Sequence, residues 1–553
     1  MLEVSILNDP QILIKEEAAW DKRYWLRISN ACNQKCIFCL DIEHHDGTFS
    51  DLSQIEEKIK EVRNQGYTRL VVSGGEASIH PDFLPIIRAA SAQQFSKIQT
   101  VTNGRMFSYR SFALKAKEAG LTEVTFSIHG HVAKLHDMLT ATPGAFDQAM
   151  RGIMNLLHMG GVIINIDICV NKKNYRYLED MILLFSGLGI YEFDLLHIIP
   201  FGSALGNRHA LFYTYEEAAP YLDRAFSFRK KPGYYIWTNR FPAAYCEGHE
   251  ELIQDPHKFY DEIGGRQDMY EHYDKTGTFD CYPHHCGFCF IRKFCRKFLY
   301  TNETAACGAN LGSVQSQEYL KIKTFVEEKQ ISSVQYRLPF ADDQINILLK
   351  DSSLSKKCSG LYLFAEADIS LSQANMIAIA DLAQRNKIPV LFEITRLQRD
   401  NFIFLESIMK SNTHFLPVIV LNHHNNTFLS EDPERVFPER LLFKIPSYEK
   451  GSLADAEYKL LHPALQLIPD TFSILNCAPC LHPGGIFESP NRLHLDSIGL
   501  NGKTNEKNLV GDFIQNDYFS KGNRCRLCSK SEVCRGMHIN YIRTYGFVTM
   551  NPL

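Results

Sequence analysis

The chain has 553 residues, of which 45% are hydrophobic and 22% charged, as in soluble globular proteins of roughly two to four domains. A net charge of −4 provides no broad basic field, so composition does not indicate binding to nucleic acid. No apolar run reaches the ~18 residues of a membrane span, and Asn8, Pro10 and Lys15 interrupt the apolar start of the chain. We therefore expect a cytoplasmic protein that makes no contact with a membrane.

The first 200 residues or so alternate β-rich runs with amphipathic stretches. This alternation predicts a parallel α/β unit, either an open sheet or an incomplete barrel, with functional residues on the loops that follow the strands. The predicted strands lie at residues 24–29, 69–73, 97–102, 123–128, 162–168 and 193–199. The predicted helices lie at residues 53–64, 82–92, 109–119, 146–159 and 175–188.

A cysteine-bearing segment, residues 246–295, comes next, and a second α/β alternation follows it. The predicted strands of this second alternation lie at residues 333–336, 361–366, 389–395, 415–421 and 441–445. Another cysteine-bearing segment occupies residues 477–534. The two halves therefore share one order, in which an α/β unit is followed by a group of cysteines.

Sixteen cysteines in such a chain need a chemical explanation. In a reducing cytosol, closely spaced cysteines are more often metal or cluster ligands than disulfides. The first group is Cys32, Cys36 and Cys39, spaced C-x3-C-x2-C directly after the first predicted strand. Three thiolates on one loop can hold three irons of a 4Fe–4S cluster and leave the fourth iron open. A structural zinc site is the alternative, although it normally has four ligands.

This cysteine motif, with the aromatic Phe38 before its last cysteine, resembles the signature of the radical S-adenosylmethionine (SAM) superfamily. Residues 73–76, Ser-Gly-Gly-Glu, resemble the Gly-Gly-Glu motif of that family, although Ala77 and Ser78 replace its usual Pro-Thr. The resemblance covers about residues 20–205. It implies a partial (β/α)6 barrel that cleaves SAM reductively at the open iron and uses the 5′-deoxyadenosyl radical to abstract hydrogen from a substrate.

The resemblance also implies which residues hold SAM. Gly74, Gly75 and Glu76 would bind the methionyl amino group, and Ser127 would lie near the ribose or carboxylate. Phe38 would offer its backbone to adenine, and Asn103 would lie at the edge of the same pocket. The residues that contact the reacting substrate stay unassigned.

The two later groups of cysteines share the spacing C-x2-C-x5-C, which resembles the auxiliary-cluster domains, called SPASM or twitch, of many radical SAM proteins. The resemblance implies one auxiliary iron–sulfur cluster for each group, with zinc ribbons as the alternative. The cysteines with this spacing are Cys286, Cys289 and Cys295 in one group and Cys525, Cys528 and Cys534 in the other. Candidate further ligands are Cys246 and Cys281 for the first of these groups, and Cys477 and Cys480 for the second.

We therefore expect four segments along the chain. A radical SAM core would occupy residues 1–235, a first auxiliary-cluster segment 236–309, a second α/β domain 310–470 and a second auxiliary-cluster segment 471–553. The second α/β domain has neither a C-x3-C-x2-C loop nor a Gly-Gly-Glu motif. We interpret it as a degenerate duplicate of the first α/β unit.

Three functions are compatible with this organisation. The leading prediction is a radical SAM enzyme that modifies a peptide or protein, because family members with auxiliary clusters often modify ribosomally made peptides. The second is radical SAM chemistry on a small molecule or nucleic acid. The third is a non-catalytic scaffold stabilised by zinc. For either enzyme we expect an electron donor such as flavodoxin or ferredoxin.

Overall fold

The computed structural model describes residues 23–278, 289–303, 306–310, 333–339, 358–364, 373–487, 492–494 and 506–553, apart from residues 449, 452, 454–456 and 459. The described residues fall into two compact units. The first unit comprises residues 23–255 and 289–290. The second unit comprises residues 256–278 and the described residues from 291 onward. Among all of these residues, no helix combines the length and apolar character needed to cross a membrane.

The first unit is built on a parallel sheet of seven strands, in which each strand pairs with the next one in the chain. Its strands are β1 Arg23–Ser29, β2 Arg69–Gly74, β3 Lys97–Thr102, β4 Glu123–Ser127, β5 Ile163–Val170, β6 Glu192–His197 and β7 Tyr235–Asn239. Its helices are α1 Leu52–Asn64, α2 Phe83–Ala92, α3 Arg110–Glu118, α4 Ala133–Thr140, α5 Ala145–Met159, α6 Leu178–Ser186, α7 Gly202–Gly206, α8 Arg208–Leu211 and α9 Tyr215–Ser227.

This architecture confirms the predicted parallel α/β unit. On β5 the side chains of Ile166, Ile168 and Val170 are fully buried, and residues between them are less so, as expected where the two faces of a strand meet different surroundings. Local signals set helix starts as well: Asp51 caps α1, and Thr214 with Glu217 forms a capping box on α9. The seventh strand, β7, was not expected from the sequence.

The second unit contains a parallel sheet of nine strands. Strands β8 to β15 follow one another in chain order, and β16 pairs beside β8. These strands are β8 Ala306–Asn310, β9 Ser333–Pro339, β10 Cys358–Phe364, β11 Val390–Ile394, β12 Phe415–Val420, β13 Leu442–Lys444, β14 Ile474–Leu475, β15 Gly485–Ile486 and β16 Arg492–His494. An antiparallel pair, β17 Phe519–Ser520 with β18 Met537–His538, lies beyond it in the chain.

Nine helices of the second unit lie within the described residues: α10 Lys258–Gly264, α11 Gln267–Thr276, α12 Arg292–Glu303, α13 Gln373–Asn386, α14 Arg399–Ser411, α15 His423–Ser430, α16 Leu461–Leu467, α17 Glu506–Asn516 and α18 Ile539–Tyr545. The predicted second α/β alternation is thus present as a second parallel sheet. In both sheets consecutive strands lie side by side, β1 to β7 in the first and β8 to β15 in the second.

An ion pair inside the second sheet joins strands that are not neighbours. Lys444 on β13 donates to the carboxylate of Glu393 on β11 at 2.5 Å between Nζ and Oε1, and both side chains are buried. Strand β12 lies between them in the sheet. A buried charge costs several kcal/mol when its partner is removed, so each residue depends on the other.

We predict that Lys444→Met lowers the free energy of unfolding by about 3–5 kcal/mol, because it leaves the Glu393 carboxylate buried without its cation. The measurement is the urea midpoint of the full chain. Lys410→Met is the control, since Lys410 pairs with Glu406 in an exposed i,i+4 contact and should change stability by less than about 1 kcal/mol. Equal shifts for the two variants would contradict the role of the buried pair.

Candidate active site

Cys32, Cys36 and Cys39 come together on the loop that follows β1. Their side chains are half-buried. Burial raises the pKa of Cys36 well above its usual value, and the Cys32 and Cys39 sulfurs raise it further because the three thiols lie close together. Burial likewise raises the pKa of Cys32 to about 11. Without a nearby positive charge these thiols stay protonated, and a bound metal would supply the charge that stabilises their thiolates.

The Gly-Gly-Glu segment after β2 packs directly on the backbone of this loop. The Gly75 N–H donates to the Ser29 carbonyl at 2.7 Å, and the Glu76 N–H donates to the Ala31 carbonyl at 2.8 Å. A Cβ atom at Gly75 would lie 2.5 Å from the Ala31 carbonyl oxygen and 3.3 Å from the Cys32 Cβ. Glycine at this position is therefore required for the close approach.

The Glu76 carboxylate is buried and joins the ends of β2 and β3. It accepts hydrogen bonds from the Ser78 hydroxyl at 2.5 Å, the Thr102 hydroxyl at 2.7 Å and the Asn103 N–H at 2.6 Å. Burial raises its pKa, and these hydrogen bonds act in the opposite direction. Glu76 thus holds the segment that faces the cysteine loop, and binding of a SAM amino group by this segment stays a prediction.

Asn33, which lies inside the cysteine motif, is held by two residues after β3. Asn103 donates from Nδ2 to Asn33 Oδ1 at 2.7 Å, and Arg105 donates to the Asn33 carbonyl. Arg105 is itself fixed by Gln148 on α5, at 2.5 Å between Nε and Oε1. Asn103 was expected at the edge of the SAM pocket, whereas Asn33 and Arg105 were not predicted as site residues. Their positions inside or next to the recognised motifs are the one feature of the sequence that could have indicated them.

The other end of the cysteine loop is bound by two further helices. The Ile37 N–H donates to the Leu139 carbonyl on α4 at 3.0 Å. The Ser203 N–H of α7 donates to the Cys39 carbonyl at 2.8 Å, and Asn207 Nδ2 donates to the Ile37 carbonyl at 2.9 Å. The backbone that carries the three cysteines is thus fixed along its whole length.

Phe38 and the ends of β4 and β5 complete this region. The Phe38 ring meets the His129 ring edge-on at 4.5 Å between centroids, and His129 Nδ1 accepts from the Cys169 N–H at 3.2 Å. Burial lowers the pKa of His129 well below its usual value, so this ring is neutral. Ser127, at the end of β4, is half-buried. Cys169 lies near this loop: burial raises its pKa to about 12, and its thiol adds to the increase in the pKa of Cys36.

The cysteines of the last segment also converge. Cys480, Cys525, Cys528 and Cys534 line one small cavity together with Lys521 and Met550. Cys525 is buried and the other three are half-buried. The Gly536 N–H donates to the Cys534 sulfur at 3.3 Å. Four thiols with an N–H donor to one sulfur form a donor set that fits a closed four-cysteine cluster site.

Cys477 and Cys480 differ in their relation to this cavity. Both follow β14, but Cys480 is among the residues that line the cavity and Cys477 is not. Cys477 is completely buried; burial raises its pKa, and the Cys480 and Cys534 thiols raise it further. Burial also raises the pKa of Cys480 to about 11, with the Cys534 and Cys525 thiols adding to the increase. Both cysteines therefore lie near Cys534, only Cys480 lines the cavity, and the identity of the fourth ligand stays a prediction.

The middle group of cysteines is only partly described, because Cys281 and Cys286 lie outside the described residues. Cys246 is buried in the turn after β7, and burial raises its pKa to about 12. Cys289 and Cys295 are half-buried. Cys295 lies on α12, with its sulfur 3.3 Å from the Tyr270 hydroxyl. Cluster ligation by this group of cysteines stays a prediction.

A site for a single metal ion needs ligands that lie closer together than the ligands of an iron–sulfur cluster. In the part of the chain that the structure describes, no group of three or more His, Cys, Asp or Glu side chains has the geometry to hold one ion. An iron–sulfur cube is larger than one ion and bridges thiolates that lie farther apart, so this finding does not test cluster ligation, which stays a prediction.

Residues 26–185 match the family model of the radical SAM superfamily. The chain carries a radical SAM domain. The match spans the cysteine loop, the Gly-Gly-Glu segment and strands β2 to β5, which are the elements that converge in the geometry above. The radical SAM fold predicted from the motifs is confirmed.

Curated relatives share this part of the chain. An AdoMet-dependent heme synthase of Oleidesulfovibrio alaskensis is 28% identical over 241 residues, which are 43% of this chain and 61% of the relative. A probable GTP 3',8-cyclase of Saccharolobus islandicus is 27% identical over 178 residues, 32% of this chain and 57% of the relative. The chain thus spans about six-tenths of the length of these relatives.

Among solved structures, SuiB of Streptococcus suis bound to precursor peptide SuiA aligns at a TM-score of 0.36 and 15% identity. The alignment covers 45% of this chain and 58% of that chain.

We predict that Gly75→Val lowers the iron bound at the cysteine loop and the release of 5′-deoxyadenosine by at least about tenfold, because its side chain would push the loop away at Ala31. Iron analysis and a SAM-cleavage assay measure the effect. Gly264→Val at the end of α10 is the matched control, since a Cβ there meets no atom within 4 Å. Equal losses in both variants would contradict a specific packing role for Gly75.

Proposed function

We propose that this chain is a radical SAM enzyme that cleaves SAM at the Cys32–Cys36–Cys39 loop and abstracts hydrogen from a substrate. The observation that carries the proposal is the convergence of these three thiols on a loop whose backbone is fixed by the Gly-Gly-Glu segment, inside a domain that matches the superfamily. When bound, the cluster and SAM supply one-electron reduction and a carbon radical.

The chain's own residues do the positioning. Cys32, Cys36 and Cys39 would ligate three irons, and the segment Gly74–Glu76 would present its backbone to the methionyl end of SAM. Glu76 holds that segment in place through Thr102 and Asn103. The hydrogen bonds of Glu76 with Thr102 and Asn103 are already formed before SAM binds. The segment therefore needs little reorganisation on binding, and such preorganisation favours catalysis.

We predict that Cys36→Ala abolishes release of 5′-deoxyadenosine on incubation with SAM and dithionite, because the loop loses one of its three ligands. Product is measured by chromatography under oxygen-free conditions. Cys358→Ala, a cysteine outside all three groups, is the control and should retain the activity. Full activity in Cys36→Ala would contradict the assignment. A colourless wild-type protein that contains zinc would contradict it as well, because these are the properties expected of a non-catalytic scaffold.

We further propose auxiliary iron–sulfur clusters, in line with the SPASM- or twitch-like spacing. The support for the later site is the cavity shared by four cysteines. If all three groups hold 4Fe–4S clusters, the protein contains about 12 irons per chain, and about 8 if only one auxiliary site is filled. We interpret the second α/β unit as a degenerate duplicate that would have lost the SAM loop and kept its cysteine segment.

The two cysteines after β14 provide a matched test of this site. We predict that Cys480→Ala loses about one 4Fe–4S cluster, or about four irons per chain, because Cys480 lines the cavity. Cys477→Ala should retain its iron and lose only about 1 kcal/mol of stability through packing, since Cys477 is buried beside the site. Iron loss in Cys477→Ala with full iron in Cys480→Ala would reverse the ligand assignment.

For the substrate, we propose a peptide or protein, because auxiliary clusters accompany peptide-modifying members of the family. A small molecule is the second candidate, and the heme synthase and GTP cyclase names of the curated relatives favour it. The test compares release of 5′-deoxyadenosine with three additions: a short peptide encoded beside this gene, a tetrapyrrole, and GTP. A several-fold increase with the peptide supports the first candidate, and an increase with tetrapyrrole or GTP alone supports the second.

A further inference from the structure

The loop that carries the last three cysteines presents large apolar side chains to solvent. Leu527, which lies between Cys525 and Cys528, is 96% exposed, and Val533, adjacent to Cys534, is 71% exposed. An isolated exposed apolar residue needs no explanation, but two at the tips of one ligand-bearing loop form a candidate contact surface.

Two more exposed apolar residues are tied to the same loop. Arg524 donates to the Phe547 carbonyl at 2.8 Å, which fixes the turn containing Val548, and Val548 is 63% exposed. The Ser529 N–H donates to the Leu553 carbonyl at 2.9 Å, and Leu553 is also exposed. These hydrogen bonds tie the chain segments that carry Val548 and Leu553 to the cysteine loop.

The charge of this loop is opposite to that of the whole chain. Residues 521–535 contain five Lys or Arg residues and one acid, Glu532, whereas the full chain has a net charge of −4. Arg524, Arg526 and Lys530 are exposed. Lys521, the fourth cation, holds the loop by donating to the Ser531 carbonyl at 2.7 Å. The apolar tips are thus surrounded by positive charge.

We propose that this surface, formed by Arg524, Arg526, Leu527, Lys530 and Val533, docks an acidic one-electron carrier protein. The proposal rests on the proposed auxiliary cluster at Cys480, Cys525, Cys528 and Cys534. One electron passes from the reduced carrier to the oxidised cluster, so the carrier is oxidised by one electron, the cluster is reduced, and no covalent bond changes. Short contact patches with complementary charge are typical of transient redox encounters.

Two features of the loop suit this role. Leu527 and Val533 are each adjacent in sequence to a proposed cluster ligand, so a partner seated on them comes close to the cluster. The exposed cations would steer an acidic partner and would do so less strongly as ionic strength rises. A docking face of this kind gives fast exchange and fast release, as an electron carrier requires.

The test uses the full, cluster-loaded chain and an acidic flavodoxin in its hydroquinone form, mixed anaerobically in a stopped-flow instrument. The kinetic phase that reports reduction of the auxiliary cluster is identified as the one that the wild type shows and the variant Cys480→Ala does not. We expect its second-order rate constant to fall steeply with salt in the wild type, and to be about tenfold lower at low salt in the double variant Leu527→Ser/Arg526→Glu, whose two residues do not line the cysteine cavity. Iron content of the double variant should equal that of the wild type.

The matched control is Leu453→Ser/Lys410→Glu, which removes an exposed leucine and reverses an exposed lysine elsewhere in the second unit. A similar decrease in this control, or a salt-independent rate in the wild type, would overturn the proposal. So would a variant Leu527→Ser/Arg526→Glu whose only change is loss of self-association or of binding to anionic vesicles. Calorimetry measures flavodoxin binding separately from cluster reduction. If the wild type binds flavodoxin in a salt-sensitive way but holds no iron at Cys480, Cys525, Cys528 and Cys534, the proposed auxiliary cluster is contradicted and the docking surface is retained.

Discussion

Hydrogen bonds to the backbone of residues 31–39 fix the loop that carries Cys32, Cys36 and Cys39, and the proposed chemistry of the first unit depends on this loop. The loop is bound on one side by the segment after β2, which the buried Glu76 carboxylate joins to the end of β3, and on the other by α4 and α7. Parallel strands bring these parts together because their carboxyl ends all lie at one edge of the sheet. A change at Gly75 or Asn103 therefore acts on the cysteines without touching a sulfur atom.

The second unit repeats the order of strands but not the loop. Its sheet contains the buried Glu393–Lys444 pair, and the cysteines of its last segment follow β14 and β17. The four that line one cavity lie within this unit alone. Under the proposed function, the first α/β unit would hold the SAM chemistry, and the second would hold a site for electron exchange with an exposed, basic rim. That the second unit is a degenerate duplicate of the first stays a prediction.

Periodicity was sufficient for the parallel α/β fold, and the short local patterns C-x3-C-x2-C and Gly-Gly-Glu indicated two segments that the fold brings into contact. Strand β7 was missed although its sequence, Tyr-Ile-Trp-Thr-Asn, is rich in residues that favour strands, and β14 and β15 have only two residues each. Spacing could not choose between Cys477 and Cys480, since both lie upstream of Cys525, Cys528 and Cys534. Asn33 and Arg105 meet across 72 residues of sequence, a contact that no local pattern specifies.

The central claim is that an iron–sulfur cluster on the Cys32–Cys36–Cys39 loop keeps one iron open for SAM. Electron paramagnetic resonance of the reduced, anaerobically purified chain, recorded with and without SAM, tests it most directly. We expect one cluster signal whose g-values shift on addition of SAM and which is absent from Cys32→Ala. Signals that SAM leaves unchanged, or a first cluster already bound by a fourth side chain, would contradict the account.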